Sequence, residues 1–142
     1  MRKVKKPMDR SQGRRRRILI VEDDYIAALQ FANALAEAGF EVVDIASTAA
    51  EAIAFVPDHL PDLIVMDVRL AGPRDGIEAA SEIFRCFGIQ SIFVSGFLDP
   101  PTRARGLAAN PFGWLSKPIQ QAKLVATVNA ALNQLGKASS IT

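Results

Sequence analysis

The sequence predicts an α/β protein built on a parallel sheet, and three observations support that expectation. From Ile18 onward, short apolar runs alternate with helical patterns, the signature of repeated βαβ units. Four of those runs deliver a polar, chemically capable residue at or just past their C-terminal ends: Ile18-Leu19-Ile20-Val21 before Glu22-Asp23-Asp24, Leu63-Ile64-Val65-Met66 before Asp67, Ile92-Phe93-Val94 before Ser95, and Trp114-Leu115-Ser116 before Lys117-Pro118. A chain of 142 residues also has room for one domain with a real core.

The elements follow in order. After the first strand, a helix is expected from Tyr25 to Ala38, stopped by Gly39 at the C′ position. Strand two is Glu41 to Ala46. Thr48-Ala49-Ala50-Glu51 is a capping-box pattern that opens the second helix, with Pro57 expected beyond its end. Strand three is Leu63 to Met66. A loop with Gly72-Pro73 and Asp75-Gly76 leads to a third helix from Ile77 to Phe87, on which Cys86 is expected to pack as a small apolar residue.

Strand four is Ser91 to Val94. Asp99-Pro100-Pro101 reads as an N-cap followed by proline at the first helical position, and that helix fades by Asn110-Pro111. Strand five is Phe112 to Ser116. The last helix places Leu124, Val128, Ala131, Leu132 and Leu135 on one face. The body is therefore expected over residues 18–136, with a short polar end over 137–142.

Charge is unevenly distributed. The net charge of +2 conceals a tail, residues 1–17, with nine Lys/Arg and one acid, while the rest holds eight Lys/Arg and fourteen acids. The tail has almost no apolar residues and is expected to be disordered. Its charge alone could attract nucleic acid or anionic lipid, but no aromatic residue interleaves the arginines, so sequence-specific recognition is not expected. One cysteine excludes an internal disulfide and fits a reducing cytosol. No apolar stretch approaches the roughly 20 residues of a membrane span, so a cytoplasmic protein is expected.

In an open parallel sheet, the strand C-termini line one crevice where ligands bind. A carboxylate cluster, a hydroxyl and an ammonium would converge there, a set suited to metal-assisted phosphoryl chemistry. Each part alone is weak. Acids after a strand are often only a polar turn, Asp24 suits a helix N-cap, Ser95-Gly96 is a generic loop start, and Lys117-Pro118 is a generic strand exit. Trp114 is as well suited to the core as to a switch. His59 lies between Pro57 and Pro61 with no second His or Cys in ligand spacing, which suggests a structural or solvent-facing role.

With this order of elements, the chain resembles the receiver domain of two-component response regulators. The segments that carry the likeness are Ile18 to Asp24, Val65-Met66-Asp67-Val68-Arg69-Leu70, Asp75-Gly76, Phe93-Val94-Ser95-Gly96 and Ser116-Lys117-Pro118. The resemblance implies a doubly wound, flavodoxin-like (βα)5 fold with five parallel strands in the order 2-1-3-4-5. It implies that Asp67 accepts a phosphoryl group from a sensor histidine kinase or a histidine phosphotransfer protein. It implies Mg²⁺ (or Mn²⁺) held by Asp23, Asp67 and the backbone carbonyl of Arg69, with Glu22 acting largely through water. Lys117 would pair with Asp67 and then with a phosphoryl oxygen, aimed by a cis peptide bond before Pro118.

Ser95 would follow the phosphoryl group and let Trp114 turn inward, switching the face of helix four, strand five and helix five for a protein partner. A monomer or a phosphorylation-dependent homodimer is implied. Three departures stand out: Leu70 to Gly76 is a residue longer than the commonest loop with Ala71 where proline is usual, Asp67 to Ser95 is slightly short, and Trp114 replaces a Tyr or Phe. Because the chain ends just after the fifth helix, a stand-alone receiver, active by contact rather than as an enzyme on other substrates, is the leading expectation. A haloacid-dehalogenase-type phosphatase is the second reading, although its acid/base aspartate position is Arg69 here. A phospho-controlled nucleic-acid binder acting through the basic tail is the third.

Overall fold

A computed structural model describes the backbone of residues 8–9 and 14–141 and the side chains of residues 14–136. Five parallel strands alternate with five helices: β1 (Arg17–Val21), α1 (Tyr25–Glu37), β2 (Glu41–Ala46), α2 (Ala49–His59), β3 (Leu63–Asp67), α3 (Gly76–Phe87), β4 (Ser91–Ser95), α4 (Pro100–Gly106), β5 (Gly113–Ser116) and α5 (Gln121–Ile141). The strands lie side by side in the order β2-β1-β3-β4-β5, all pairs parallel. The expected fold class and strand order are therefore observed.

Apolar side chains alternate between the two faces of the sheet, as strands buried on both sides require. Ile18, Ile20, Val65, Ile92 and Val94 meet α1 and α5 on one face, through residues such as Leu35, Leu124 and Val128. Leu19, Val21, Ile64, Met66 and Phe93 meet the other face, where Val56 of α2 and Ile77 and Ile83 of α3 close the core. Helix starts follow the local chemistry. The Asp24 side chain accepts from the Ile26 and Ala27 amides, and Thr48 accepts from the Glu51 amide. The Glu51 carboxylate reaches Ser47 rather than Thr48, so the second half of the expected capping box is displaced by one residue. The reciprocal box forms instead at α3, between Asp75 and Glu78.

Several expectations are corrected. Pro57 lies inside α2, near its end, and the helix closes through Leu60 in the left-handed region with its amide on the Val56 carbonyl. Pro57 has no amide to give the Ile53 carbonyl, a local cost offset by the packing of α2 through Ala52 and Val56. Gly136 does not end α5, which runs on to Ile141, so the short polar end expected at 137–142 is largely helix. A lone helical glycine costs about 1 kcal/mol relative to alanine and stops nothing by itself. Cys86 is exposed, because the buried stripe of α3 ends at Ile83, one turn before the helix does. Asp99 stands at the start of α4 but makes no capping bond.

The tail is also corrected where it is described. β1 begins at Arg17, and Met8–Asp9 pair antiparallel with Arg14–Arg15. Arg14 forms a two-point ion pair with Asp62 at 3.1 Å, and Arg17 bonds to Glu41 and to the His59 carbonyl. Disorder is thus not the state of Arg14–Arg17, and the charges of Arg14 and Arg17 meet acids at the N-terminal edge of the sheet. Residues 1–7 and 10–13 lie outside the described residues. His59 is structural, its ring 3.1 Å from Asp44 and edge-on to Phe55.

Leu60 holds φ at 47° although it carries a Cβ, and its side chain is 62% exposed. Left-handed backbone strains a non-glycine residue by about 1–2 kcal/mol, partly offset by the entropy that glycine adds to the unfolded chain. Leu60→Gly is therefore expected to stabilise the fold by about 0.5–1 kcal/mol, raising the thermal midpoint by a few degrees. A lowered midpoint in calorimetry would mean that the exposed leucine packs usefully.

Candidate functional site

Register places the site. Val21 pairs with Met66, so Glu22 and Asp67 leave adjacent strands side by side, and the Glu22 amide is held on the Ala46 carbonyl at 2.9 Å. Met66 pairs with Phe93, and the Val68 amide reaches the Val94 carbonyl at 2.9 Å, which brings Ser95 beside them. Ser95 pairs with Ser116, and the Lys117 amide bonds to the Ser95 carbonyl at 2.8 Å. Four strand ends thus gather the carboxylates, the hydroxyl and the ammonium at one edge, as the strand pattern requires.

Glu22, Asp23 and Asp67 each offer a carboxylate oxygen within 4.8 Å of the others, with Glu22 and Asp67 buried and Asp23 exposed. The Lys117 ammonium bonds to Asp67 Oδ2 at 3.1 Å and to Glu22 Oε2 at 3.4 Å. It lies 3.1 Å from Glu22 Oε1 as well, but off the hydrogen-bonding direction, and that buried oxygen accepts no bond from any described group. The Lys117–Pro118 peptide is cis. Arg69 follows in the turn after β3, and its amide reaches Asp67 Oδ1 at 3.3 Å.

Burial, then the adjoining Asp67 carboxylate, pushes the Glu22 carboxyl up to about 7, against the opposing pull of the Asp24 amide and Lys117. Burial pulls the Lys117 ammonium down, but Asp67 and Glu22 together outweigh it and hold the lysine above its ordinary value. Two buried carboxylates and a peripheral third, with one lysine, leave surplus negative charge and an unsatisfied oxygen. Hard oxygen donors with excess charge suit a small divalent cation, and the orphaned Glu22 Oε1 is placed to accept from water around such an ion.

Ser95 is at the site, but its hydroxyl is engaged with its own loop, donating to the Phe97 carbonyl at 3.0 Å and accepting from the Phe97 amide at 3.1 Å. Trp114 is half-buried. Its ring packs on Phe93, centroids 4.7 Å apart, and the Arg103 guanidinium lies 5.3 Å from its centroid. Two glycines matter that motif reading alone did not single out for packing. A Cβ on Gly76 would overlap the Asp67 carbonyl oxygen, so only glycine lets α3 start against the end of β3. A Cβ on Gly106 would fall 2.5 Å from the Trp114 ring, so that glycine seats the indole.

The Glu22 shift sets a pH dependence. Between pH 4.5 and about 7, the folded, metal-free chain holds a proton on Glu22 that the unfolded chain has lost, so stability falls as pH rises through that window. Glu22→Gln cannot lose that proton. Its thermal midpoint relative to wild type in chelator is expected to increase from pH 5 to pH 8, and an unchanged difference would show that Glu22 titrates normally.

The sequence matches the family model of the response regulator receiver domain over residues 18–129. It is 31% identical over 126 residues to the transcriptional regulatory protein PdtaR of Mycobacterium tuberculosis, across 89% of this chain and 61% of that protein. The chain thus spans less than two thirds of that relative's length. It is 30% identical over 118 residues to the chemotaxis protein CheY of Bacillus subtilis, covering 82% of this chain and 98% of that one. Among solved structures, a CheY-like response regulator receiver domain protein from Methanospirillum hungatei superposes with a TM-score of 0.81 at 26% identity, over 87% of this chain and 98% of that chain. Strand order and family match agree, and the chain belongs to the response regulator receiver domain family.

Proposed function

We propose that this chain is a phosphorylatable signalling switch whose acceptor is Asp67. The observation that carries the reading is Lys117 bonded to both Asp67 and Glu22, with Asp23 closing a carboxylate cluster at the ends of adjacent strands. The phosphoryl group would come from a sensor histidine kinase or a histidine phosphotransfer protein. An Asp67 oxygen attacks phosphorus, an O–P bond forms, and the N–P bond to the donor imidazole breaks.

Glu22, Asp23, Asp67 and the backbone carbonyl of Arg69 would hold Mg²⁺ or Mn²⁺, Glu22 largely through water. When bound, the ion offsets the charge that gathers between the carboxylates and the phosphoryl oxygens. Lys117 already touches Asp67 and is positioned to follow its charge onto a phosphoryl oxygen. Ser95 would exchange its bond to the Phe97 carbonyl for one to that group, moving the loop before α4. Trp114 and α4 are packed together, so that movement would pass to the face of α4, β5 and α5, where a protein partner reads it.

Neither the phosphatase reading nor a nucleic-acid role for the tail gains a specific observation. Arg69 stands where a second catalytic aspartate would be needed, and Arg14 and Arg17 are engaged by acids of the body. No helix among the described residues is long and apolar enough to cross a membrane.

Incubating the chain with acetyl phosphate and Mg²⁺ is expected to add one phosphoryl group, about 80 Da by intact mass. The adduct should be absent from Asp67→Asn and from chelator-treated wild type. Lys117→Gln is expected to slow its formation by about two orders of magnitude, the scale on which a preorganised charge partner acts. An adduct that persists in Asp67→Asn would move the acceptor elsewhere.

A further inference from the structure

Helix α4 is held to the body by little apolar burial. Of its seven residues only Gly106 is buried, and a glycine has no side chain to place in the core. Its start is no firmer: Asp99 makes no capping bond, and among the described residues its buried Oδ1 has no hydrogen-bond partner. Two arginines supply what burial does not. Arg103 lies over the Trp114 ring, 5.3 Å from its centroid, and Arg105 donates to Asp75 Oδ2 at 2.8 Å.

Asp75 is a fixed point. Its other oxygen accepts from the Glu78 amide at 2.9 Å, as half of the capping box that starts α3. The next residue, Gly76, is pressed against the acceptor strand. Its amide bonds to the Val68 carbonyl at 2.8 Å, and a Cβ there would overlap the Asp67 carbonyl oxygen. Arg105 therefore ties the least buried helix to a point set by Asp67 itself. We infer that the Asp75–Arg105 ion pair is a latch that holds α4 in its unphosphorylated position and so opposes the phosphorylated state. This rests on the reading of the chain as a phosphorylated switch and adds the restraint against which that switch works.

The path from site to latch is short. Both hydrogen bonds of the Ser95 hydroxyl go to the Phe97 backbone, so recruiting Ser95 to a phosphoryl group frees that residue. Only Leu98 and Asp99 separate it from α4, whose first two residues are Pro100 and Pro101. Prolines fix φ, so a displaced loop carries the helix with it instead of absorbing the shift at the joint. A shift of about 1 Å takes a contact of 2.8 Å beyond hydrogen-bonding distance, which breaks the latch. A bond present in only one of two states weakens any ligand of the other state by the same factor that it stabilises the first.

The test is a titration of the full chain with beryllofluoride, a stable phosphoryl mimic, in Mg²⁺, followed through the fluorescence of Trp114, the single tryptophan. Arg105→Gln and Asp75→Asn, the second of which keeps a capping oxygen, are each expected to tighten binding about twofold to fivefold, the scale of a surface ion pair. The double variant should bind no tighter than the tighter single one, because both lose the same bond. Arg74→Gln, which breaks the neighbouring 2.8 Å pair with Glu82 but nothing on α4, should leave affinity unchanged. A misfolded variant would bind more weakly, not more tightly. Unchanged or weaker binding in Arg105→Gln, two single effects that simply add, or equal tightening by Arg74→Gln would overturn the inference. Two further readings separate it from the switch itself. An absent acetyl-phosphate adduct on wild type, by intact mass, sinks the switch. Hydrogen exchange of the α4 amides without any ligand should rise in Arg105→Gln, and exchange left unchanged sinks the latch.

Discussion

The Lys117 ammonium, held between two carboxylates that the sheet buries side by side, is the interaction on which the rest of this molecule turns. Parallel pairing of β1 with β3 leaves no freedom in the matter: once Val21 stands opposite Met66, Glu22 and Asp67 must emerge together at the sheet's C-terminal edge. Two buried like charges at this separation repel strongly in a medium of low effective dielectric. The fold answers with a lysine from β5, two strands removed, and by letting Glu22 keep its proton to about pH 7. Both answers are incomplete, since among the described residues one oxygen of Glu22 accepts no hydrogen bond, although the Lys117 ammonium lies 3.1 Å away. A site left short of positive charge, and short by a small amount, is poised to respond to an incoming ion or phosphoryl group.

That poise reaches the surface through few contacts. The Ser95 hydroxyl belongs to the site by position and to the following loop by bonding, so it cannot serve both at once. Trp114 belongs to strand β5 by register and to α4 by packing, seated against Gly106 and covered by Arg103. A helix of seven residues has few contacts of its own, which makes it the element most easily repositioned by either neighbour. Arg105, bound to the Asp75 cap of α3, ties the same helix to the loop that follows the acceptor strand.

Much of this could be read in advance, for identifiable reasons. Fully buried strands are continuous apolar runs, and a run such as Leu63 to Met66 ending in an acid announces both the strand and the direction in which its product points. Glu22, Asp67, Ser95 and Lys117 were therefore visible as a set, because a parallel sheet sends every strand end to one side. What sequence could not show depends on which groups lie opposite. Gly76 and Gly106 are ordinary glycines until the Asp67 carbonyl and the Trp114 ring are placed against them. Cys86 looked like a core residue because its helix is amphipathic, yet the helix outruns the sheet that would have covered it. Pro57 and Gly136 looked like stops, but tertiary packing of α2 and α5 outweighs the local preference of one residue.

The tail shows the same lesson with the opposite sign. Composition alone made Arg14 to Arg17 part of a solvated, basic extension, because an arginine run has nothing to bury. Asp62 and Glu41, far away in sequence, supply what composition could not reveal: carboxylates at the N-terminal edge of the sheet that bind Arg14 and Arg17, where the chain enters β1. Acidic residues thus do two jobs at opposite ends of one sheet. At the C-terminal end they are crowded, buried and undercompensated, which makes them responsive. At the N-terminal end they are half-exposed and matched one to one by arginine, so they add order to the entry of β1 with little energetic tension.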